Sequence, residues 1–201
     1  MKIEYEVRGR LKEQDYSRVV DYLAQNAKKL KEFSRFSLRY ETVGFRVSSS
    51  DLRVRFEEGR SEIVLKIGKY GASDREEMSL NVDRADVSTA IKMLSYLGFD
   101  KGYAFWRITK KFKYKGCEVS IVEVPNYCRY FEIELLSDVE DPKIVGELES
   151  VAKDLGLECF RSEAVYFDFL EDLDKNANID FSYGKSNLED LMDKSSRIWQ
   201  R

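Results

Sequence analysis

Apolar and charged residues exchange places with a period of two along most of the first two thirds of this chain. A sequence written that way is satisfied only by strands with one apolar and one polar face. IEYEVR sets Ile3, Tyr5 and Val7 against Glu4, Glu6 and Arg8. LRVRF sets Leu52, Val54 and Phe56 against Arg53 and Arg55, and EIVLKI sets Ile63, Leu65 and Ile67 against Glu62, Val64 and Lys66. REEMSLNV opposes Met78, Leu80 and Val82 to Arg75, Glu77, Ser79 and Asn81, and FWRITKKF opposes Trp106, Ile108 and Phe112 to Arg107, Thr109 and Lys111. In YFEIEL, Phe131, Ile133 and Leu135 face away from Glu132 and Glu134. Weaker alternation in SLRYETVGFRV and EVSIVEV brings the expectation to about eight short strands.

Helical spacing interrupts the strands three times. Val19, Val20, Leu23, Leu30 and Phe33 predict a helix over about 15–33, and Val87, Ala90, Ile91, Leu94 and Leu97 predict one over about 86–97 that Gly98 ends. The third has Asp141 as cap, Pro142 at the first helical position, an apolar stripe of Ile144, Val145, Leu148, Val151, Ala152 and Leu155, and Gly156 after it. After Leu170 the composition turns acidic and turn-rich, as in a linker. Ser186 and Glu189 then have the spacing of a capping box, ahead of a short helix with Leu188, Leu191, Met192, Ile198 and Trp199 on one face. That face needs a cover, either one end of the core or a second copy in a homodimer. The expected organisation is one domain over 1–170, followed by a linker and amphipathic helix over 171–201.

With 201 residues, 12 Phe, 12 Tyr and 2 Trp, the chain can build one large core while 35% of its residues are charged. A net charge of -3 gives no overall field to attract nucleic acid or a membrane surface. No apolar run approaches the roughly 18 residues of a membrane span, and the N-terminus reads as a strand, so the expectation is a soluble cytoplasmic protein. Cys117, Cys128 and Cys159 lack paired metal-ligand spacing and read as reduced structural thiols. Histidine is absent, which excludes Ser-His-Asp and Cys-His catalysis and leaves carboxylates, lysines, tyrosines or the bound water of a hard cation for acid-base work. GKS at 184–186 has Ile179 where a phosphate-binding loop requires glycine, and KKFKYK at 110–115 alternates as a strand rather than as an RNA-binding run.

The choice of charges on the polar faces carries more information than their number. Two E-x-E pairs, Glu4/Glu6 and Glu132/Glu134, each send two carboxylates from one face about 7 Å apart. Arg8, Arg53, Arg55, Lys66, Arg75, Arg107 and Lys111 put seven cations on what the same alternation makes a common face. If the sheet closes, both sets enter one lumen, where acids repel one another and bare cations are costly to bury. A polyphosphate with Mg²⁺ or Mn²⁺ resolves both problems, because the bases bind phosphate oxygens and the carboxylates hold the metal.

The ordered set Glu4-x-Glu6-x-Arg8, Arg53-x-Arg55, Lys66, Arg75-x-Glu77, Arg107 with Lys110 or Lys111, and Glu132-x-Glu134 resembles the CYTH superfamily, the triphosphate tunnel metalloenzymes that include class IV adenylyl cyclases and thiamine triphosphatases. The resemblance covers residues 1 to about 170. It implies an α+β fold: a closed eight-stranded antiparallel β-barrel with helices packed outside and a tunnel that takes a triphosphate such as ATP, thiamine triphosphate or inorganic triphosphate. By position it makes Glu4, Glu6, Glu132 and Glu134 metal ligands and Glu77 a further one or an orienting group. Arg8, Arg53, Arg55, Lys66, Arg75, Arg107 and Lys111 become phosphate contacts. The chain departs from the family pattern in having Arg8 for a lysine, Val122 for an aspartate with Glu123 on the opposite face, Tyr127-Cys128 in the following turn, and Thr109 for a base. Hydrolysis, cyclisation and binding without catalysis all remain open at this point.

Overall fold

The computed structural model describes residues 3–41, 49–68 and 74–197. Its strands are β1 (Ile3–Leu11), β2 (Lys28–Tyr40), β3 (Ser50–Glu57), β4 (Arg60–Ile67), β5 (Asp74–Asn81), β6 (Lys101–Tyr114), β7 (Cys117–Val124), β8 (Cys128–Ser137) and β9 (Ile179–Ser182). The helices are α1 (Glu13–Asn26), α2 (Val87–Tyr96), α3 (Lys143–Asp154), α4 (Glu163–Asn176) and α5 (Leu188–Arg197). The strands pair antiparallel in the order β2-β3-β4-β5-β1-β8-β7-β6, and β2 pairs again with β6, so eight strands close into the expected barrel. β9 continues the sheet beside the first residues of β6, where Phe181 lies opposite Gly102.

β2 runs beside β6 from Lys28↔Lys113 to Tyr40↔Gly102 with one register shift, and among the described residues β1 meets β5 over Ile3↔Glu76, Glu4↔Arg75 and Tyr5↔Asp74. Farther along β1, the chain after α3 bonds to it. The Phe160 amide donates to the Arg8 carbonyl at 2.8 Å.

The apolar core lies outside the ring. Tyr5, Val7, Phe131 and Ile133 turn outward beneath Leu148, Val151 and Ala152 of α3 and Val19 and Leu23 of α1, all buried. A second cluster joins Leu52, Val54, Phe36 and Leu38 to Val87 and Ile91 of α2. The α3 boundaries follow the sequence signals: the Asp141 carboxylate accepts the Lys143 amide at 2.9 Å, and Gly156 supplies the left-handed turn at φ +68°. Pro142 stands one place before the first helical residue. Among the described residues no helix is long and apolar enough to cross a membrane.

Three expectations change. The first helix stops at Asn26, and Leu30 and Phe33 belong to β2, because pairing along β6 outweighs the local helical stripe. The expected linker after Leu170 is the end of α4 and all of β9. Leu173 is buried against Val124 and Phe169, and Phe181 is buried in the second cluster. The tail helix exists, but Asn187 rather than Ser186 caps it: Asn187 Oδ1 accepts the Glu189 amide at 2.9 Å, while Ser186 Oγ accepts the Ser182 amide. Leu191 is buried, and Leu188 and Met192 pack on the same cluster, so described parts of its apolar face cover the core. Ile198 and Trp199 lie outside the described residues, as does part of SLRYETVGFRV.

Gly9 marks a close approach of the covering chain to the barrel. A Cβ there would stand 2.2 Å from the Glu158 carbonyl oxygen and 2.8 Å from the Phe131 ring. Neither neighbour can yield without moving β8 or the 158–160 segment. Gly9→Ala is expected to cost about 1–3 kcal/mol of unfolding free energy in urea titration, as overpacking does. Alanine at the open Gly146 of α3, where nothing stands within 4 Å, is expected to stabilise slightly by helix propensity.

Candidate functional site

Alternation sends every second side chain of the ring inward, and these enclose a cavity of about 270 Å³. All twelve residues singled out from the sequence line it: Glu4, Glu6, Glu77, Glu132 and Glu134 with Arg8, Arg53, Arg55, Lys66, Arg75, Arg107 and Lys111. Glu4, Glu6, Arg8, Lys66, Arg75 and Arg107 are buried, and the other six are half-buried. Residues from the two ends of the chain become neighbours because β1 lies beside β8, with Glu6 opposite Glu134 and Arg8 opposite Glu132.

The charges are unequally matched. Glu4 is bonded by Lys66, whose ammonium also lies 3.1 Å from Glu77. Glu6 accepts from Arg8 Nε at 3.1 Å and has Arg75 at 3.9 Å. Lys111 donates to Glu134 at 2.7 Å and to Glu118 at 2.8 Å. Among the described residues Glu132 makes no hydrogen bond or salt bridge. Enclosure within the protein and the facing carboxylates of Glu6 and Glu134, opposed by Arg8, push its pKa up to about 7. Burial also raises Glu134, which Lys111 partly offsets. Glu6 goes the other way: burial would raise it, but Arg8, Lys66 and Arg75 together hold it well below the usual carboxylate range.

The cationic wall has the converse imbalance. Arg53 is gripped by Asp51 at 2.7 and 2.8 Å, and Arg75 lies 3.6 Å from the same carboxylate. Among the described residues Arg55 pairs with Glu62, at 3.6 Å, and its buried Nε has no hydrogen-bond partner. Arg107 donates to neutral oxygens, the Trp106 carbonyl and Asn178 Oδ1, both at 2.7 Å. Burial lowers the proton affinity of both guanidiniums, and for Arg55 the neighbouring Arg35 and Arg53 add to it. One side of the lumen therefore has positive charge to spare and the other has a carboxylate to spare.

Four lumen or near-lumen groups escaped the sequence reading. Arg35 was hidden by the overlong first helix, although Phe33, Arg35 and Ser37 alternate as a strand does. Asp51 stands two before Arg53, a D-x-R-x-R pattern that places it on the same face. Tyr130 and Tyr166 complete the lining at the end crossed by α4, where Tyr166 lies under the Arg8 guanidinium at 4.5 Å. The departures from the family pattern fall as alternation requires. Val122 lines the cavity while Glu123 turns away to Arg129 at 3.3 Å, and Thr109 and Lys111 line it while Lys110 lies outside near Glu32. Cys117, Cys128 and Cys159 are free thiols raised by burial.

Hard carboxylate oxygens are the donor type that Mg²⁺ and Mn²⁺ select. Among the described residues no three acidic or thiol groups converge as a ready ligand set, because Lys66, Arg8 and Lys111 hold Glu4, Glu6 and Glu134. Glu132, without such a cation and flanked by Glu6 and Glu134, is where a divalent ion fits the donor chemistry.

No family model matches the sequence, and no curated protein matches it. Solved structures do. A Pyrococcus horikoshii protein superposes with TM-score 0.69 at 22% identity, over 84% of this chain and 98% of its own. A Vibrio parahaemolyticus protein named as a candidate adenylate cyclase gives 0.65 at 16%, over 84% and 98%. A Hippeastrum protein, a candidate adenylyl cyclase described as having dominant triphosphatase activity, gives 0.56 at 20%, over 81% and 91%. This chain has their fold. The resemblance to the CYTH superfamily read from the ordered charges is consistent with that architecture.

Glu132 gives the site a signature in stability. Its carboxyl is raised from 4.5 to about 7, so between those pH values the unfolded chain has released a proton that the folded chain retains, and stability falls as pH rises. The size is about 2–3 kcal/mol once screening by lumen water is allowed for. The depressed Glu6 and Asp51 act with the opposite sign and at lower pH, losing their contribution as pH falls below the ordinary carboxylate range. Urea unfolding from pH 4.5 to 7.5 is expected to show a downward trend in the wild type that Glu132→Gln flattens.

Proposed function

We propose that the protein binds a triphosphate together with Mg²⁺ or Mn²⁺ in its lumen and hydrolyses it. The observation that carries this reading is the gathering of all twelve charges around one cavity with their excess divided: Arg55 has only a distant share of Glu62, which Arg60 holds more closely, Arg107 is bonded by neutral oxygens, and among the described residues Glu132 has no ion pair. A polyanion with a divalent cation completes both halves at once. The triphosphatase activity named for the Hippeastrum protein supports the same chemistry here as an extension of shared fold, whereas the Vibrio protein's name points to cyclisation.

In this reading Arg53, Arg55, Arg75, Arg107 and Arg8 hold the phosphate oxygens, with Lys66 and Lys111 as compact charges at the edge of the acidic wall. Because the guanidiniums are already fixed by Asp51, Glu6 and Asn178, they need little reorganisation as charge builds on the phosphates. Glu132, Glu134, Glu6 and Glu4 would hold the metal, with Glu77 keeping Lys66 in place. A bound divalent ion supplies charge neutralisation and a more acidic water. The barrel wall restricts bulk water around the phosphates.

A second reading, a binding module without turnover, is favoured by Val122 in the lining where the family pattern has an acid, and by Arg8, which stays protonated at any working pH. The deciding experiment incubates purified protein with Mg²⁺ or Mn²⁺ and inorganic tripolyphosphate, ATP or thiamine triphosphate, and follows phosphate, pyrophosphate, cyclic AMP and melting. Release of phosphate is the expected outcome. A ligand at 100 times its Kd is expected to add about 2.7 kcal/mol of stability. Glu132→Gln with Glu134→Gln is expected to abolish the metal-dependent part of that shift. Cyclic AMP would replace hydrolysis by cyclisation, stabilisation without product would select the binding module, and no stabilisation by any triphosphate overturns the proposal.

A further inference from the structure

The segment read from the sequence as a linker touches the lumen. Arg107 Nη2 donates to Asn178 Oδ1 at 2.7 Å, and Asn178 Nδ2 donates to Asp174 Oδ1 at 2.7 Å. Arg39 Nη2 donates to the other oxygen of Asp174 at 2.6 Å, in a pair with side chains 5% and 8% exposed. The Asn178 amide donates to the Leu173 carbonyl at 2.8 Å, which fixes the backbone at the end of α4. Bonding on both sides leaves the Asn178 carboxamide one orientation: its nitrogen must face the carboxylate and its oxygen the guanidinium.

Resting on the reading of the lumen as a triphosphate site, we infer that Asn178, locked by Asp174 and Arg39, is a positioning residue that aims Arg107 at the bound phosphates without neutralising it. The choice of partner matters. Arg8, Arg53 and Arg75 each lie near a carboxylate that absorbs part of their field, whereas Arg107 is held by a backbone carbonyl and a carboxamide, with the Tyr130 phenol as a further neutral contact. A neutral acceptor fixes the direction of a guanidinium and leaves its charge for the ligand. The acid is displaced one step, to Asp174, where Arg39 takes it up.

Tripolyphosphate binding by calorimetry, with melting of each variant, tests this in a double-mutant cycle. Asn178→Ala is expected to weaken binding about tenfold in the wild-type background and less than about twofold when Arg107 is already alanine, since the residue acts through Arg107. Asn178→Asp keeps the shape but places carboxylate oxygens against both Arg107 and Asp174, adding an acid at Arg107 and undoing the anchor; it is expected to weaken binding at least as much while melting shows the protein still folded. Equal losses in both backgrounds, or no loss in the first, overturn the assignment while the triphosphate reading stands. Failure of the wild-type protein to bind tripolyphosphate, ATP or thiamine triphosphate with Mg²⁺ or Mn²⁺ overturns both.

Discussion

Taking a charged group out of water costs several kcal/mol unless a partner returns the interaction, and fifteen charged side chains line this barrel's lumen. Their mutual pairing is the constraint on which the rest depends. With a lumen lined mainly by charge, the sheet cannot use its inner face as a hydrophobic core, so most apolar alternates point outward and many are covered from outside, while Met78 and Leu80 of β5 stay exposed. α1, α3 and part of β1 and β8 form one such cover, and α2 and α5 with β2 and β3 form the other. The helices are what make an inside-out barrel stable.

β1 carries both sides of that arrangement in nine residues. Glu4, Glu6 and Arg8 enter the lumen while Tyr5 and Val7 bury against the helical cover, and the Tyr5 hydroxyl accepts the Asp141 amide at 2.8 Å just before α3. Among the described residues the same strand meets β5 over three residue pairs, and farther along it the Phe160 amide bonds to the Arg8 carbonyl. That bond brings α4 across one end of the barrel, where Tyr166 meets Arg8, Asp172 meets Arg10 and Asp174 meets Arg39. A strand that lines the site is thus tied directly to the segment that crosses the barrel's end.

How much of this could be read beforehand follows from which signals are local. Strand alternation is local, and because the lumen is the alternate face of every strand, sorting residues by parity was enough to bring all twelve charges into one cavity. Closure was a further assumption, supported by the mixture of acids and bases that an open wet face would not need. What was missed depended on long-range competition. KKLKEFSRF can be written as the end of a helix, and only its pairing with β6 makes it a strand and puts Arg35 inside. EDLDKN has the composition of a linker, yet Leu173 and Asp174 find partners on β7 and β2 that no window of the sequence contains.

The division of charge within the lumen explains why partners differ in kind from one cation to the next. A guanidinium bound bidentately to a carboxylate, as Arg53 is to Asp51, is rigid but has much of its charge answered within the protein. Rigidity without neutralisation requires neutral acceptors, and these cost backbone or amide groups that must themselves be anchored. The relay from Arg107 through Asn178 and Asp174 to Arg39 meets that requirement by moving the compensating acid to a buried pair beyond the lumen wall. The acidic wall makes the complementary choice, with three carboxylates held by cations and Glu132 left to carry the repulsion of its neighbours. A lumen tuned only for stability would pair these last groups with one another; keeping Arg107 and Glu132 on different partners leaves unspent interaction for whatever enters.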